Sequence, residues 1–513
     1  MTISFNKIRI ALILLFLSVS CYISLNFAAV GPSVKSSTDS VKIGYSTIIS
    51  NLDVPWEMIW GPDNTIWYSE QNGSISKVNP GNGEHKLMLK IGDYYRKKLG
   101  LLSMVFHKGM KKEPYLFVYY SFLKDEKVFT KIVRYTWEAD SLIKPKTLLE
   151  IPAHTGHMGA RLAIGPDNKL MLATGDLTDA KSAQNPNTLN GKILRINLDG
   201  SIPEDNPQKG SYVWAKGFRV PQGLAFGAKG LLYTSEHGDA TDDEVNLITR
   251  NGNYGYPNVT GICDNPAEKV FSASNVVTDP LKAWTPTIAP SSIAYYGASA
   301  IPQWKNSLLV TTLKESDLRI LKLNEAGDKV ISESIYLDQQ FGRLRDVCVS
   351  PSGEVFVSTS NHDWNRTNKY SNEKDDRIIR IAPLGKSSAL NEVLLSNTQN
   401  KDVKGVIIGK VLYNQYCASC HKEDGNGLAG VFPPLRDAEQ VTGDKKKFIE
   451  IVLNGISGPI KVKGEEYDQQ MPAFSFLKDQ ELAKILSYVR SNFSSTQNSR
   501  VSAEEIKNLR ESK

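Results

Sequence analysis

A polar turn followed directly by a short β-prone run recurs six times between about residues 40 and 385. Turn residues such as Gly, Pro, Asp and Asn, followed by β-branched and aromatic residues, are typical of β-hairpins. Successive copies begin 45 to 78 residues apart, which fits units of about 40–50 residues, some with insertions. Four-stranded sheets repeated at this interval form propeller blades, so six copies predict a six-bladed β-propeller. The copies begin at Gly61, Lys112, Gly165, Gly227, Lys305 and Ser350.

The sequence changes character after residue 385 and predicts a second, all-α domain at 405–495. A chain of 513 residues is too long for one ordinary core. Residues 386–404 are polar, which favours a linker, with one helical turn around Leu390–Leu395. In LKDQELAKILSYVRSNF four apolar residues fall on one helical face, and KKKFIEIVLNGI predicts a helix that ends at Gly455. The remaining residues, 496–513, are interpreted as a polar tail. The four apolar residues are Leu482, Ile485, Leu486 and Val489.

The segment YNQYCASCHKEDGNG contains Cys417, Cys420 and His421 in the C-x-x-C-H spacing that attaches haem c. The two thiols bond to the haem vinyl groups, and the histidine ligates the iron on one face. A zinc site would need further Cys or His nearby, and His421 is the only histidine of this region. Met471 is the only methionine after Met171, so it is the candidate second axial ligand, with core packing as the alternative. The region resembles the cytochrome c family along most of 405–495.

The N-terminal residues, 1–30, predict export from the cytoplasm. Lys7 and Arg9 precede an apolar segment of about 20 residues, as in a signal peptide, with FAA near Ala29 as a cleavage site. The same segment is long enough for an uncleaved membrane anchor. Lipidation of Cys21 is a third interpretation, although Ser18 stands where a lipobox has a leucine-like residue. All three place the mature chain outside the cytoplasm, in the periplasm or its equivalent.

Charge and cysteine content narrow the function classes further. The net charge is +6 without a long basic run, which argues against nucleic acid as a partner. Cys263 and Cys348 would be able to pair in an oxidising compartment, but their flanking residues do not favour a disulfide. We therefore expect two separate thiols.

Polar side chains concentrate in a few loops of the propeller region. Loops on one face of a propeller converge over its central channel. Clustered cations there predict an anionic ligand, clustered carboxylates predict a hard cation such as calcium, and a nearby histidine provides a general base. Each group also has an ordinary alternative: a surface ion pair, a solvated acidic loop or a structural histidine. The loop residues are His154, His157, Arg161, Arg219, His237, Asp239, Asp242, Asp243, Glu244, Lys314, Arg343 and Arg345.

The propeller region resembles the soluble glucose and aldose sugar dehydrogenases that use pyrroloquinoline quinone (PQQ). The likeness runs from about Ser50 to Ile381 and rests on seven segments in the same order. The family fold is a six-bladed propeller. The resemblance implies PQQ- and calcium-dependent oxidation of an aldose, or of a sugar aldehyde such as sorbosone, with electrons passed to the fused haem. The segments are SNLDVPWEMIWGPDNTIWYSE, GKILRINLDGSIPEDNP, RVPQGLAF, DDEVNLI, NGNYGYPNV, PTIAPSS and RLRDV.

The resemblance also implies roles for individual residues. His157 corresponds to the catalytic base of the family. Arg219 corresponds to the arginine beside the reactive quinone carbonyl. The positions that bind the PQQ carboxylates correspond to Lys314, Arg343 and Arg345. Main-chain carbonyls that bind the calcium at PQQ correspond to those of Gly238 and Asp239. Ligands of a further, structural calcium correspond to Glu244 and Tyr254.

Several positions depart from the family pattern. Val220 replaces an asparagine, His237 a glutamine and Gly156 an acidic residue, while Lys98 stands where a substrate-contacting glutamine falls. The loop after ATGD is also short. These changes affect positions near the sugar more than positions near the cofactor. The resemblance therefore predicts the oxidation chemistry of this protein better than it predicts the substrate.

Two further hypotheses remain open at this stage. In one, the haem domain serves another kind of propeller oxidoreductase; in the other, the propeller is an interaction module without a cofactor. For the enzyme interpretation the expected partners are a sugar and a downstream electron acceptor such as a cytochrome or an oxidase. Membrane association is expected only through the N-terminal segment.

Overall fold

The computed structural model describes residues 40–96, 99–363, 374–385, 390–393, 409–494 and 500–511. The export segment, Lys98 and most of the linker lie outside these residues, so the predictions made for them stay predictions. No helix in the described part of the chain has the length and apolar character needed to cross a membrane.

Six antiparallel sheets follow one another along the chain and confirm the predicted propeller. The first strands of the six sheets contact one another in a closed ring around a central channel. Blades one and two consist of β2 (Pro55–Trp60), β3 (Ile66–Glu70), β4 (Ser74–Val78) and β5 (His85–Lys90), and of β6 (Leu101–Phe106), β7 (Tyr115–Lys124), β8 (Lys127–Glu138) and β9 (Ser141–Pro152). Blades three and four consist of β10 (Gly159–Ile164), β11 (Leu170–Thr174), β12 (Lys192–Ile196) and β13 (Val213–Lys216), and of β14 (Val220–Phe226), β15 (Leu232–His237), β16 (Asp243–Ile248) and β17 (Lys282–Trp284).

The last two blades complete the ring with the help of the first strand of the chain. Blade five consists of β18 (Pro290–Tyr296), β19 (Ser307–Thr312), β20 (Leu318–Leu323) and β21 (Val330–Tyr336). Blade six consists of β22 (Leu344–Val349), β23 (Val355–Thr359), β24 (Ile378–Pro383) and β1 (Ile43–Ile49). Because β1 pairs antiparallel with β24, with Tyr45 opposite Ile381, hydrogen bonds join the first strand of the propeller to its last.

The expected helical turn around Leu390–Leu395 is wrong for the residues that the structure describes there. Instead, β25 (Asn391–Glu392) pairs with the outer edge of β1. An uncovered edge strand presents unpaired backbone groups, and the added strand satisfies some of them. Val393 is buried directly after it, so this part of the linker belongs to the propeller.

The longest interval between sequence copies, from Gly227 to Lys305, is explained by an insertion between β16 and β17. It contains helix α1 (Pro266–Ser274), whose first turn is closed by a capping box. The Asn265 side chain accepts a hydrogen bond from the Glu268 main-chain N–H, and the Glu268 side chain accepts one from the Asn265 N–H. Cys263 and Cys348 are both free thiols, as expected.

A buried ion-pair network crosses the channel between the inner strands. Arg161 on β10 contacts Glu57 Oε1 at 3.1 Å and Asp346 Oδ1 at 2.9 Å. Its guanidinium also donates to the carbonyl oxygens of Gln222 and Ser291, at 3.0 and 3.5 Å. The sequence placed Arg161 among residues that attract an anionic ligand, but the structure shows that its partners are protein groups.

The two carboxylates extend this network to the whole ring. Glu57 Oε2 accepts the main-chain N–H of Met104 on β6 at 2.7 Å, and Asp346 Oδ2 accepts that of Met58 on β2 at 2.5 Å. Burial raises the pKa of Glu57 to about 7, and the Asp346 charge adds to this while Arg161 opposes it. One strand from every blade therefore contributes a group to a single charged centre.

The C-terminal domain is helical, as the sequence predicts. Its elements are α2 (Gly409–Tyr416), α3 (Ala418–His421), α4 (Glu439–Thr442), α5 (Lys445–Asn454), β26 (Ile460–Val462), β27 (Glu465–Tyr467), α6 (Asp479–Asn492) and α7 (Ala503–Glu511). Helix α5 ends at Gly455, whose φ of 71° suits glycine, and the four predicted apolar residues of α6 are buried. A side chain at Gly409 would place its Cβ only 2.2 Å from the Lys484 carbonyl oxygen, so this glycine allows α2 and α6 to cross closely.

The segment interpreted as a polar tail contains α7, which packs against the helical domain. Ile506 is fully buried and Val501 nearly so. Arg510 Nη2 donates to the Leu477 carbonyl oxygen at 2.6 Å. The segment is mostly polar, so its composition did not indicate the single apolar stripe by which this helix packs against the helical domain.

Replacing Arg161 with Met is expected to lower the free energy of unfolding of the propeller by about 3–5 kcal/mol, because two buried carboxylates lose their counterion. The matched control is Arg250→Met, because Arg250 is exposed and donates to the Asp205 main-chain carbonyl oxygen at 3.2 Å rather than to a carboxylate. That change is expected to cost about 0.5 kcal/mol or less. Tryptophan fluorescence during urea unfolding reports the propeller, since all eight tryptophans precede residue 385. Equal losses in the two variants would contradict the structural role of the channel network.

Candidate functional site

His157 lies between a carboxylate and an arginine at the mouth of the channel. Its Nδ1 is 2.8 Å from Asp176 Oδ1, and its Nε2 is 3.1 Å from Arg219 Nη2. A guanidinium can only donate, so Nε2 must be the unprotonated nitrogen and Nδ1–H must donate to Asp176. This tautomer leaves a lone pair on Nε2, and Arg219 Nη2 faces it.

The electrostatic surroundings favour a neutral His157. Burial and the nearby Arg219 charge lower its pKa below the ordinary 6.5, although Asp176 and Asp239 oppose the shift. A neutral imidazole is the form that accepts a proton. The arrangement of carboxylate, imidazole and free nitrogen is therefore that of a general base held in one orientation.

Tight backbone turns bring His157 and Asp176 together. His157 itself has a φ of 51°, and a Cβ on Gly175 would lie 1.8 Å from the His157 carbonyl oxygen. Only glycine permits such a close approach of the two chain segments. The Asp176 main-chain N–H donates to the Arg219 carbonyl oxygen at 2.8 Å, and this hydrogen bond holds Arg219 next to the loop that contains Asp176.

Arg219 is oriented by the loop that follows β15. Its main-chain N–H donates to the Glu236 carboxylate, and its guanidinium donates to the Gly238 carbonyl oxygen at 2.6 Å and to Asp239 Oδ1 at 2.9 Å. Burial opposes its charge, but Asp239 and further acidic groups outweigh that effect and raise the pKa of Arg219. The arginine therefore stays charged beside the base.

Arg343 and Arg345 form a second cationic group. Both donate to Asp363 Oδ2 at 2.8 Å, and the Arg345 guanidinium lies 4.2 Å from the centre of the Trp56 ring. Burial, followed by the Arg343 and Arg161 charges, lowers the pKa of Arg345 to about 10. Asp363 opposes this shift. Lys314 Nζ donates to Thr287 Oγ1 at 3.2 Å, and burial lowers its pKa as well.

His237 lies where these positive charges converge. Burial, with the charges of Arg219, Arg345 and Arg343, lowers its pKa to about 3, so it is neutral at any physiological pH. Its buried Nε2 has no hydrogen-bond partner among the described residues. An orphaned nitrogen surrounded by arginines is a position suited to an anionic or carbonyl-bearing ligand.

The acidic residues expected to bind calcium have protein partners in this structure. Both Glu244 oxygens accept N–H bonds, from Asn246 Nδ2 at 2.8 Å and from the Gly261 main chain at 2.7 Å. The Tyr254 hydroxyl donates to the Leu247 carbonyl oxygen at 2.6 Å. Among the described residues no three His, Cys, Asp or Glu side chains converge on a metal position. Asp243 accepts main-chain N–H groups from two loops: that of Gly238 at 2.7 Å, and those of Ile288 and Ala289 at 2.5 and 2.6 Å.

The predicted haem-attachment residues lie in α3 and directly before it. His421 Nδ1 lies 2.9 Å from the Pro433 carbonyl oxygen, so Nδ1 carries the proton and Nε2 is left for iron. Burial and the neighbouring Cys420 raise the pKa of the Cys417 thiol to about 12. Met471 is half-buried against the domain core, and its main chain pairs with that of Ile456 at 2.9 and 3.0 Å.

The two domains meet at the residues that carry this chemistry. Lys314 interacts electrostatically with the Cys417 and Cys420 thiols, and Cys420 also senses Asp239. Lys422, directly after His421, interacts in the same way with Arg343. The haem-attachment segment is therefore near enough to the cationic group of the propeller to interact with its charges.

The structure brings all the predicted propeller loop residues except Arg161 to one end of the channel. Sequence reasoning missed three carboxylates that orient them. These are Asp176, Glu236 and Asp363. The only sequence indication was their position, each within a few residues of the end of a buried strand in the same loops as the predicted residues.

Comparisons with known proteins agree with this architecture. The family model described as glucose/sorbosone dehydrogenase matches residues 52–366, and the cytochrome c model matches residues 406–493. Quinoprotein glucose dehydrogenase B of Acinetobacter calcoaceticus is 32% identical over 442 residues, which covers 68% of this chain and 92% of the relative. Cytochrome c-552 of Thermus thermophilus is 36% identical over 113 residues, which covers 20% of this chain and 86% of the relative.

A solved structure extends the comparison to the fold. The PQQ-bound form of aldose sugar dehydrogenase from Streptomyces coelicolor superposes with a TM-score of 0.58 at 28% identity, covering 67% of this chain and 98% of that chain. The match accounts for the propeller, and the helical domain lies beyond it. The chain therefore belongs to the glucose/sorbosone dehydrogenase family, with a cytochrome c domain joined to the C-terminal side of its propeller.

Proposed function

We propose that the protein oxidises an aldose sugar to its lactone, using PQQ and calcium at the channel mouth, and passes the electrons to haem c in the same chain. The observation that carries the proposal is the neutral His157 held by Asp176 beside a crowded cationic site. When bound, PQQ supplies a two-electron acceptor for a hydride equivalent, and haem c supplies a one-electron outlet.

The donor set fits an anionic quinone. PQQ carries three carboxylates, and Lys314, Arg343 and Arg345 offer positive charge for them at the haem side of the site. The lowered pKa of Arg345 and the orphaned His237 Nε2 support this, because both indicate positive charge and donors in excess of the local acceptors. Arg219, with its Nε buried and unpartnered within the described residues, would stabilise negative charge on a carbonyl oxygen.

His157 would act on the substrate through its free nitrogen. The imidazole takes the proton of the anomeric hydroxyl at Nε2, while Asp176 holds Nδ1–H and stabilises the imidazolium that forms. Arg219 Nη2 lies 3.1 Å from that nitrogen, so substrate must replace this contact. The carbon that loses hydride becomes the lactone carbonyl, and the proton later leaves to solvent.

Calcium fits the acidic loop only in part. The buried carboxyls of Glu236 and Glu244 repel each other, and burial together with this repulsion raises the pKa of Glu236 well above its usual range. A cation near Glu244 and Tyr254 would relieve that repulsion. At the PQQ side the Gly238 carbonyl oxygen is engaged by Arg219, so a calcium bound to Gly238 and Asp239 would have to take over this contact.

Fusion of the two domains supports direct electron transfer. The Cys417 and Cys420 thiols that would hold the haem interact with Lys314, which is itself a proposed PQQ ligand. His421 and Met471 would be the axial ligands, a pair that raises the haem potential. Export of the chain would suit c-type haem attachment, and a cytochrome or an oxidase would accept the electrons next. A sugar aldehyde such as sorbosone is the second candidate substrate, because the matching family includes sorbosone dehydrogenases by name.

The first test follows haem absorbance after an aldose is added to protein loaded with PQQ and calcium. We expect haem reduction that requires PQQ, with a first-order rate that does not change on tenfold dilution because donor and acceptor share one chain. Reduction without PQQ would favour another propeller oxidoreductase. Absence of reduction with every aldose and with sorbosone would favour a non-catalytic interaction module.

Replacing Asp176 with Ala is expected to lower kcat about 10²-fold or more, because His157 loses the group that fixes its tautomer. His157→Ala should abolish sugar-driven haem reduction, while reduction by dithionite stays intact. The control is Asp179→Ala, since Asp179 is exposed and its side chain makes no cap hydrogen bond. Turnover retained in His157→Ala would refute its role as the base.

The pH profile follows from the lowered pKa of His157. The neutral form is the active one, so activity is present above that pKa and is lost as the pH falls through it. Because the pKa lies below the ordinary 6.5, more than half of the activity is expected to remain at pH 6.5, and the midpoint of the decline is expected at a lower pH. Measurement of kcat between pH 4 and 8 checks this, and a midpoint at or above 6.5 would contradict the electrostatic account.

A further inference from the structure

Two segments of the cytochrome domain lie close to residues next to the His157–Arg219 pair. Ala240 belongs to the buried cluster of the cytochrome core, and Cys420 interacts with Asp239, the carboxylate bound to Arg219. A Cβ on Gly156 would lie 3.8 Å from Gln469 Oε1 of the cytochrome domain. Residues from both domains therefore border the base.

The propeller residues around Gly156 are fixed relative to the base. The Thr178 main-chain N–H donates to Asp176 Oδ1 at 2.9 Å, the same oxygen that binds His157. The Gly156 N–H donates to His154 Nδ1 at 3.1 Å. The same Gly156 Cβ position would be 3.1 Å from Thr178 Cγ2 and 3.6 Å from His154 Nδ1, so both groups and Gln469 lie within 4 Å of one position next to His157.

Gln469 has an amide available for a ligand. It is half-buried, and its side chain makes a single long hydrogen bond, 3.4 Å to Asp468 Oδ1, within the described residues. It lies two residues before Met471, whose main chain pairs with Ile456, so the backbone of its loop is held. A carboxamide both donates and accepts, which matches the vicinal hydroxyls of a sugar.

We propose that Gln469 contacts the sugar and helps to determine which aldose is oxidised, so that the cytochrome domain forms part of the substrate site. This inference rests on the proposed function. Gly156 provides no side chain at the position next to the base, and the Gln469 amide reaches the space left there. Thr178 and His154 complete the same polar rim from the propeller side.

The test compares Gln469→Ala with Gln470→Ala in the full-length protein loaded with PQQ and calcium. Gln470 is the adjacent residue, has the same amide and is exposed, so it controls for changes in the loop. For the best aldose, Gln469→Ala is expected to lower kcat/KM about 5- to 20-fold, mainly through KM, and to change the order of preference among aldose epimers. Gln470→Ala should leave both unchanged.

Gln469→Glu provides a second variant if the alanine protein fails to fold, which the haem spectrum reports. The glutamate side chain keeps the hydrogen-bond acceptor and loses the donor. We therefore expect a smaller loss of kcat/KM than in Gln469→Ala, together with a changed preference among aldose epimers. Unchanged kcat/KM and preference in folded Gln469 variants would overturn the inference. If the wild-type protein oxidises no sugar at all, the proposed function fails instead, and the two failures are thereby distinguished.

Hydrogen exchange gives a readout independent of turnover. In protein reduced beforehand, sugar binds without reacting, and peptides containing Gly156 and Gln469 are both expected to exchange more slowly with sugar present. The slowing at Gln469 should be lost in Gln469→Ala and kept in Gln470→Ala. Protection confined to the propeller peptide would contradict a contact from the cytochrome domain.

Discussion

The charged centre around Arg161 is the constraint on which the geometry of the site depends. Arg161, Glu57 and Asp346 lie on three inner strands, and main-chain groups of the other three complete their coordination. The functional residues are attached to the same strands at short distance. Arg219 immediately precedes β14, Arg343 immediately precedes β22, and His157 lies two residues before β10. A ring held at its centre therefore fixes the positions of groups that come from distant parts of the chain.

The architecture could be predicted from sequence because local patterns repeat. Six turn-and-strand copies identified six blades, and the apolar face of α6 identified the main helix of the cytochrome domain. The failures have physical reasons. Residues 391–392 form a strand because the edge of β1, encoded some 340 residues earlier, offers partners, and α7 is attached by few apolar side chains. Neither influence is visible in a local window.

The sequence predicted the charged site residues that lie in recognisable segments. It did not predict the residues that orient them. His157 and the arginines were identified, whereas Asp176, Glu236 and Asp363 gain their roles only through long-range hydrogen bonds. Asp243 has a role that its acidic run did not indicate. The run suggests a cation, and Asp243 in addition binds main-chain N–H groups and thereby shapes the loop that carries Gly238 and Asp239.

The pairing of β1 with β24 bears on how the chain reaches this state. Ile43 lies opposite Pro383, so the sixth sheet cannot gain its outer strand until almost the whole propeller has been synthesised. Contacts so remote in sequence close late and slowly, since a very long loop must be ordered before they form. Until that moment β1 has no partner strand, and its free backbone groups are able to pair with another chain.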